Sequence, residues 1–319
     1  IRFRAMILFQ IIAYGSYSVL VHLCEQNGVI SFSSTTMNFL LEFIKLSFSS
    51  IAWIYSLSIE TINYPDLNSI VTFFRQSIPY SIPAILYFIN NNLAVHMQLH
   101  MDPASYQILS NFKILTTAVL YRLIIKHKLT RQQWFALLLL FVGGLAYSFG
   151  TVKNSTFVSK TRLSSSSSII MSEMYIRPLG IPMIAVYCIL SGFAGVYNEW
   201  ILKKHYVESL HLQNIFLYSY GTLLNLFPAM LTSMNEQIFN PLRGFTSYTW
   251  LIIFTQALNG LFMSVVIKYS SNIVRLFVIS FSLLVTALLS FVIFHLTFNI
   301  YFFISFATMI CAISLYYSK

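Results

Sequence analysis

The sequence predicts an all-α integral membrane protein of ten transmembrane helices, arranged as two inverted five-helix repeats. Three observations carry that expectation. Hydrophobic residues make up 57% of the 319 positions and charged residues only 9%, with a mean hydropathy of +0.72, a balance that lies outside the range of water-soluble domains. Ten apolar stretches each approach the roughly 20 residues that a helix needs to cross about 30 Å of hydrocarbon, where only intrahelical bonds satisfy every backbone amide. One long polar interruption, 151–178, contains the serine run Ser164–Ser168 and divides the ten stretches into five and five.

Taken in order, the first stretch, 5–24, follows Arg2 and Arg4 and has no small-residue cleavage pattern after it. It is expected to be a retained helix and not a signal peptide. The second, 34–57, holds Glu42 and Lys45 near its middle; the third, 76–97, holds Tyr87 and Asn91; the fourth, 104–125, holds Tyr106, Ser110 and Lys113. The fifth, 132–150, contains Gly143-Gly144, and the sixth, 179–202, contains Ser191-Gly192-Phe193-Ala194-Gly195. Small residues of this kind let helices approach closely. The seventh, 211–232, carries Asn214 and Tyr218, and the eighth, 249–267, carries Ser264 and ends beside Lys268. The ninth and tenth are 274–293 and 300–317.

This spacing predicts a first repeat over 1–150, a non-cytosolic linker over 151–178 and a second repeat over 179–319. Five spans per half force the halves into opposite orientations, and inverted repeats place a central site at their interface. A shift of 169 residues lays Thr286, Ala287, Leu289 and Ile293 on Thr117, Ala118, Leu120 and Ile124.

The net charge of +10 does not point to nucleic acid, because the basic residues fall in short loops and not along one polar face. Eleven of them (Arg2, Arg4, Arg75, Lys126, Lys128, Arg131, Lys203, Lys204, Lys268, Arg275, Lys319) fall on the side of the N-terminus, against five (Lys153, Lys160, Arg162, Arg177, Arg243) on the other. The asymmetry predicts that both termini are cytosolic. Cys24, Cys188 and Cys311 lie in or at the ends of apolar stretches and form no disulfide framework. The sequon Asn154-Ser155-Thr156 falls on the non-cytosolic side, too close to the fifth stretch to be expected to carry a glycan.

A charge inside a bilayer costs roughly 2.5–3.5 kcal/mol even on lenient scales, so it faces a partner or a wet cavity. Glu42 and Lys45, three apart, share a helix face and can neutralise each other; Glu199 and Lys203, four apart, can do the same. Lys113 has no acid within a turn. Two readings stand for it: an external anion, for which a compact ammonium suits a phosphate oxygen, or an ion pair with Glu42 from another helix. Polar stripes at helical spacing surround it: Tyr106, Ser110 and Lys113 at i, i+4 and i+7, with Tyr87 and Asn91, Asn214 and Tyr218, and Ser264 and Lys268 each four apart. Interhelical hydrogen bonding accounts for any one pair. Together with a solitary lysine, amides that match a nucleobase edge and tyrosines that offer a stacking face point to a nucleotide. His96 and His100 lack the carboxylate pattern of a metal site, and no catalytic motif is present. No cofactor is expected, and the chain is not expected to be an enzyme.

Six passages, in order, resemble the nucleotide-sugar transporters, solute carrier family 35, subfamily A, of the drug/metabolite transporter superfamily. They are Ser34-Thr35-Thr36 through Leu41-Glu42-Phe43-Ile44-Lys45-Leu46; Leu86-Tyr87 through Asn91-Asn92; Tyr106-Gln107 through Lys113-Ile114; Ser191 through Glu199; Gln213-Asn214 with Tyr218; and Ser264 through Tyr269. The resemblance implies a Golgi antiporter that exchanges a cytosolic pyrimidine nucleotide conjugate (a UDP-sugar, or a CMP- or CDP-linked sugar or polyol such as CDP-ribitol) for lumenal UMP or CMP. It implies that Lys113 meets phosphate, that Tyr87, Tyr106 and Tyr218 line the nucleotide pocket, that Asn91 and Asn214 read the pyrimidine, and that Ser191, Ser264 and Lys268 face the cavity. Departures occur at Asn90, where relatives carry glutamine; at Arg275, often lysine in the CMP-sialic acid branch; and at Tyr220, where that branch has serine. These leave the sugar end of the site less defined than the nucleotide end. The alternative from another class is a non-transporting membrane scaffold that assembles, as a homo- or hetero-oligomer, with true transporters and glycosyltransferases.

Overall fold

A computed structural model describes residues 2–26, 29–30, 32–60, 67–97, 100–101, 103–162, 178–234, 242, 244–294 and 299–318. Apart from a two-residue antiparallel pairing of β1 (Glu25–Gln26) with β2 (Val29–Ile30), the regular structure is helical. The helices are α1 (Arg2–Leu23), α2 (Ser34–Glu60), α3 (Leu67–Met97), α4 (Pro103–Ser110), α5 (Lys113–Ile124), α6 (Arg131–Arg162), α7 (Gly180–Lys204), α8 (Leu210–Met234), α9 (Ser247–Tyr269), α10 (Asn272–Phe294) and α11 (Ile300–Tyr317). Each apolar stretch is helical, but the fourth is broken into α4 and α5 instead of running continuously over 104–125. Helix α6 continues to Arg162, so the opening of the polar stretch 151–178 is helical backbone. Asn154 falls on that backbone with its side chain outside the described residues, and Ser164–Ser168, Arg177 and Arg243 lie outside them altogether.

Among the described residues seven helices, α1, α2, α6, α7, α9, α10 and α11, are long and apolar enough to cross a membrane. The chain is a multi-span membrane protein. The four helices that fall short of that measure are α3, α4, α5 and α8, which carry Tyr87, Asn91, Tyr106, Lys113, Asn214 and Tyr218. Helices α4 and α5, of 8 and 12 residues, fall short by length because the break divides the fourth stretch, whereas α3 and α8 are long enough, at 31 and 25 residues, and carry polar side chains along their length.

Local chemistry sets several helix starts. Thr130 and Gln133 form a reciprocal box at the start of α6: the Gln133 amide N–H donates to the Thr130 hydroxyl at 3.2 Å, and the Thr130 N–H donates to Gln133 Oε1 at 3.0 Å. Thr246 and Thr249 make the same arrangement at α9. Ser33 Oγ accepts the Thr36 N–H ahead of α2. Pro79 and Pro83 lie inside α3 and Pro228 inside α8, positions at which membrane helices tolerate proline.

The chain forms two compact units, Ile1–Phe88 with Tyr197–Val278, and Ile89–Val196 with Ile279–Lys319. Each takes residues from both sides of the polar stretch. In the first unit α1 packs on α9, and α2 packs on α8 and α9, around a core that includes Tyr80, Phe216, Leu217, Met263 and Val266. Phe73 meets Phe216 edge to face at 4.7 Å between ring centroids. In the second unit α11 lies along α6, and α4 and α5 also pack on α6. Lipid is as apolar as leucine, so close contact, not escape from water, holds such helices together. Gly143 and Gly150 show how: an added Cβ would come within 2.7 Å of Thr308 Oγ1 and 2.8 Å of Tyr301 Cβ.

Candidate functional site

Four of the residues singled out by the sequence, Asn91, Tyr106, Lys113 and Ser191, belong to the second unit. Lys113 opens α5 immediately after the break at Asn111-Phe112. The break is a tightened turn. The Asn111 N–H donates to Ile108 O at 3.3 Å and the Phe112 N–H to Leu109 O at 3.0 Å, each three residues back instead of four. The Gln107 carbonyl, which the Asn111 N–H would meet in a continuous α-helix, is taken by the side-chain amide of the same residue at 2.8 Å. Asn111 Nδ2 also reaches Ser148 Oγ on α6 at 3.0 Å.

Helix α7 closes the other side of the break. Cys188 Sγ donates to Leu109 O at 3.8 Å, the backbone amide of Lys113 lies within polar reach of the Cys188 sulfur, and Thr116 Oγ1 reaches Cys188 O at 2.9 Å and Lys113 O at 3.2 Å. The phenol of Tyr106 donates to that of Tyr187 at 3.2 Å. Ser110 turns back onto the Gln107 carbonyl of its own helix. Ser191 is half-buried beside Gly192, against which the backbone of Thr117 packs; Asn91 is exposed on α3, and the neighbouring Asn90 is buried with its Oδ1 unmatched among the described residues.

Lys113 is half-buried, and among the described residues its ammonium takes part in none of the ion pairs and has no hydrogen-bond partner. Glu42, the other candidate for its charge, pairs with Lys45 on its own helix. A lysine at the first position of a helix adds its charge to the positive end of the helix dipole, an unfavourable combination unless an anion is present.

The first unit holds Tyr87, Asn214, Tyr218, Ser264, Lys268 and Arg275 together with the Glu42–Lys45 pair. The Lys45 ammonium stands 4.4 Å over the ring of Tyr218, whose hydroxyl meets Ser264 Oγ at 3.0 Å and Gly260 O at 3.3 Å. Gly221 and Gly260 make room for the ion pair: an added Cβ would lie 2.9 Å from Glu42 Oε2 and 2.9 Å from Lys45 Cδ respectively. Arg275 Nη1 donates to the Tyr87 hydroxyl at 3.3 Å and to Asn272 Oδ1 at 3.4 Å, and Tyr14 of α1 lies within electrostatic reach of both Arg275 and Tyr87. Asn214 is buried, and its Oδ1 finds no partner among the described residues.

Lys268 is also buried, but its ammonium is engaged by protein groups, donating to Glu208 O at 2.6 Å and to Gln213 Oε1 at 2.8 Å. Glu199 accepts from Lys203 Nζ and from the Asn272 N–H. The Tyr220 hydroxyl meets Ser77 Oγ at 2.9 Å. His96 and His100 belong to no cluster of metal-ligating side chains among the described residues.

Residues 3–317 match the family model of nucleotide-sugar transporters. The chain belongs to that family. Among relatives of this nucleotide-sugar transporter family chain, the probable UDP-sugar transporter protein SLC35A4 of Xenopus tropicalis is 37% identical over 312 residues, covering 98% of this chain and 91% of its own length. The protein of the same name from Homo sapiens is 37% identical over 320 residues, covering 100% and 94%, and that from Danio rerio is 36% identical over 318 residues with the same coverage. A solved structure titled only as a crystal structure of protein superposes with a TM-score of 0.63 at 9% identity, over 98% of this chain and 97% of that one. It shares the fold.

Tyr14 and Tyr187 went unmarked in the sequence, Cys188 was read there only as a cysteine of an apolar stretch, and Asn111 only as part of a resembling passage. Tyr187 and Cys188 sit in the same apolar segment as Ser191, and only the break opposite gives them a role. The signal for Asn111 is its place beside Ser110 and two residues before Lys113, a polar cluster in the middle of a largely apolar stretch.

Proposed function

We propose that the chain is a Golgi-membrane antiporter that exchanges a pyrimidine nucleotide conjugate, a UDP-sugar or a CMP- or CDP-linked sugar or polyol such as CDP-ribitol, for UMP or CMP. Exchange proceeds by alternating access through ten spans built as two inverted repeats, with both termini cytosolic. The observation that carries the reading is the half-buried Lys113 at the start of α5, whose ammonium has no ion-pair or hydrogen-bond partner among the described residues. A phosphate removes both the cost of that charge and its conflict with the helix dipole, and half-helix N-termini serve anionic substrates in this way in other transporters. In the unit that holds Lys113, Asn91 supplies an amide that matches a pyrimidine edge and Tyr106 supplies a ring.

The acids support exchange over proton coupling. Glu42 is neutralised by Lys45 and Glu199 by Lys203, so neither is set up as a proton carrier. The test is thermal stabilisation of detergent-purified protein by CMP, UMP, GMP and AMP. CMP or UMP raises the melting temperature, the purine nucleotides raise it less, and Lys113→Ala abolishes the response while the protein remains folded. A flat response to all four would favour the scaffold reading, and a full response in Lys113→Ala would remove Lys113 from the site.

A further inference from the structure

We infer that Asn111 is a positioning residue for Lys113, held in place through Gly144 of α6, and that α6 thereby sets the affinity of the nucleotide site without touching the nucleotide. The inference rests on the reading that Lys113 binds the phosphate.

The break between α4 and α5 needs a reason, because Ser110-Asn111-Phe112-Lys113 contains neither glycine nor proline. Left to itself, the stretch would continue as one helix, with the Asn111 N–H on Gln107 O. The Asn111 side chain supplies the alternative. Its amide occupies Gln107 O at 2.8 Å and reaches Ile108 O at 3.3 Å, so the carbonyls at the end of α4 stay satisfied while the backbone N–H shifts to the tighter turn. The same Nδ2 is anchored to α6 through Ser148 Oγ at 3.0 Å, and Ser148 in turn donates to Gly144 O at 3.0 Å.

This anchoring requires Gly144 to lack a side chain. A Cβ there would fall 2.5 Å from Asn111 Oδ1 and 3.1 Å from Asn111 Cγ, and all of its nearest contacts are Asn111 atoms. The adjacent Gly143 faces elsewhere, toward Thr308 and Met309 of α11. One pair of glycines therefore serves two contacts, and only one of them leads to Lys113.

The experiment measures, in full-length protein, the half-saturating concentrations of UMP and CMP together with the melting temperature. Lys113→Ala weakens binding by about tenfold or more, the value of a charge-assisted hydrogen bond. Gly144→Ala weakens it by about fivefold, and Gly144→Ala added to Asn111→Ala has no further effect beyond about twofold, because the atoms it would strike are gone. Gly143→Ala, with a similar clash but toward α11, lowers the melting temperature and leaves affinity within about twofold. If Gly144→Ala does not accumulate, Ser148→Ala removes an acceptor from the Asn111 amide without adding an atom and shifts affinity in the same direction.

Unchanged affinity in Gly144→Ala or Ser148→Ala, with affinity lost in Lys113→Ala, overturns the positioning role and leaves the site reading standing. Unchanged affinity in Lys113→Ala overturns the site reading itself. Equal affinity losses in Gly143→Ala and Gly144→Ala also overturn the inference, since they would reflect general damage to α6.

Discussion

Replacing Lys45 by methionine isolates what the buried charge pair of the first unit does. The lysine side chain is 9% exposed and its partner Glu42 21%. Methionine keeps most of the volume beside Gly260 and removes the charge, so packing changes little. Two electrostatic contacts are lost. The ammonium over the Tyr218 ring at 4.4 Å is worth about 0.5–2 kcal/mol. Removing one partner of a buried pair costs about 3–5 kcal/mol by leaving the other charge unmatched; the partial exposure of Glu42 lets water recover part of this, so the sum comes to about 2–4 kcal/mol. Glu42→Gln added to Lys45→Met removes the stranded carboxylate and should recover about half of the loss, since replacing both members of a buried pair is close to neutral. Thermal unfolding of the detergent-purified chains reads this directly: Lys45→Met melts lowest and the double variant melts between it and the parent. If the double variant melts as low as the two single losses added together, Glu42 and Lys45 are not coupled and the ion pair carries no stability.

Lys268→Met should destabilise the turn between α7 and α8, because Glu208 O and Gln213 Oε1 lose their ammonium; melting temperature falls while nucleotide affinity changes less than in Lys113→Ala. Thr246→Ala removes the reciprocal box at the start of α9 and should cost about 1 kcal/mol, read as a small drop in melting temperature with transport unchanged. Gly192→Ala places a methyl 3.2 Å from the Thr117 backbone and 3.1 Å from Leu120 Cδ1, and should cost about 1–3 kcal/mol by overpacking α7 against α5. Cys188→Ser should retain nucleotide affinity and Cys188→Val lose it, since only the first can still donate to Leu109 O, and competition binding separates the two.

The apolar stretches are legible in the sequence because a span must repeat hydrophobic residues for about 20 positions, and the sixth stretch, 179–202, and α7, Gly180–Lys204, differ by little. Helix α3 starts earlier than its apolar stretch, at Leu67, because hydropathy marks the lipid-buried part of a helix and not its backbone end. The Glu42–Lys45 contact follows from a spacing of three on one helix. The break in the fourth stretch does not follow from spacing, because the local bond of Asn111 to Gln107 O is held in place by Ser148, Cys188 and the empty space at Gly144, all distant in sequence. The i+7 relation of Tyr106 to Lys113 assumed a continuous helix, and the tightened turn alters it. Lys268 illustrates the same limit: a cation four residues from Ser264 looks free in the sequence, whereas Gln213 and the Glu208 carbonyl occupy it in the fold.

Trans-stimulated uptake in proteoliposomes tests the central claim most directly. Purified protein is reconstituted into liposomes preloaded with UMP or CMP, and uptake of labelled UDP-sugars and cytidine-linked sugars and polyols is compared with that into empty liposomes. At least one pyrimidine conjugate should enter faster into the preloaded liposomes, and Lys113→Ala should remove the difference. No preloading-dependent uptake across the panel, from protein that is folded and inserted, would contradict exchange by this chain.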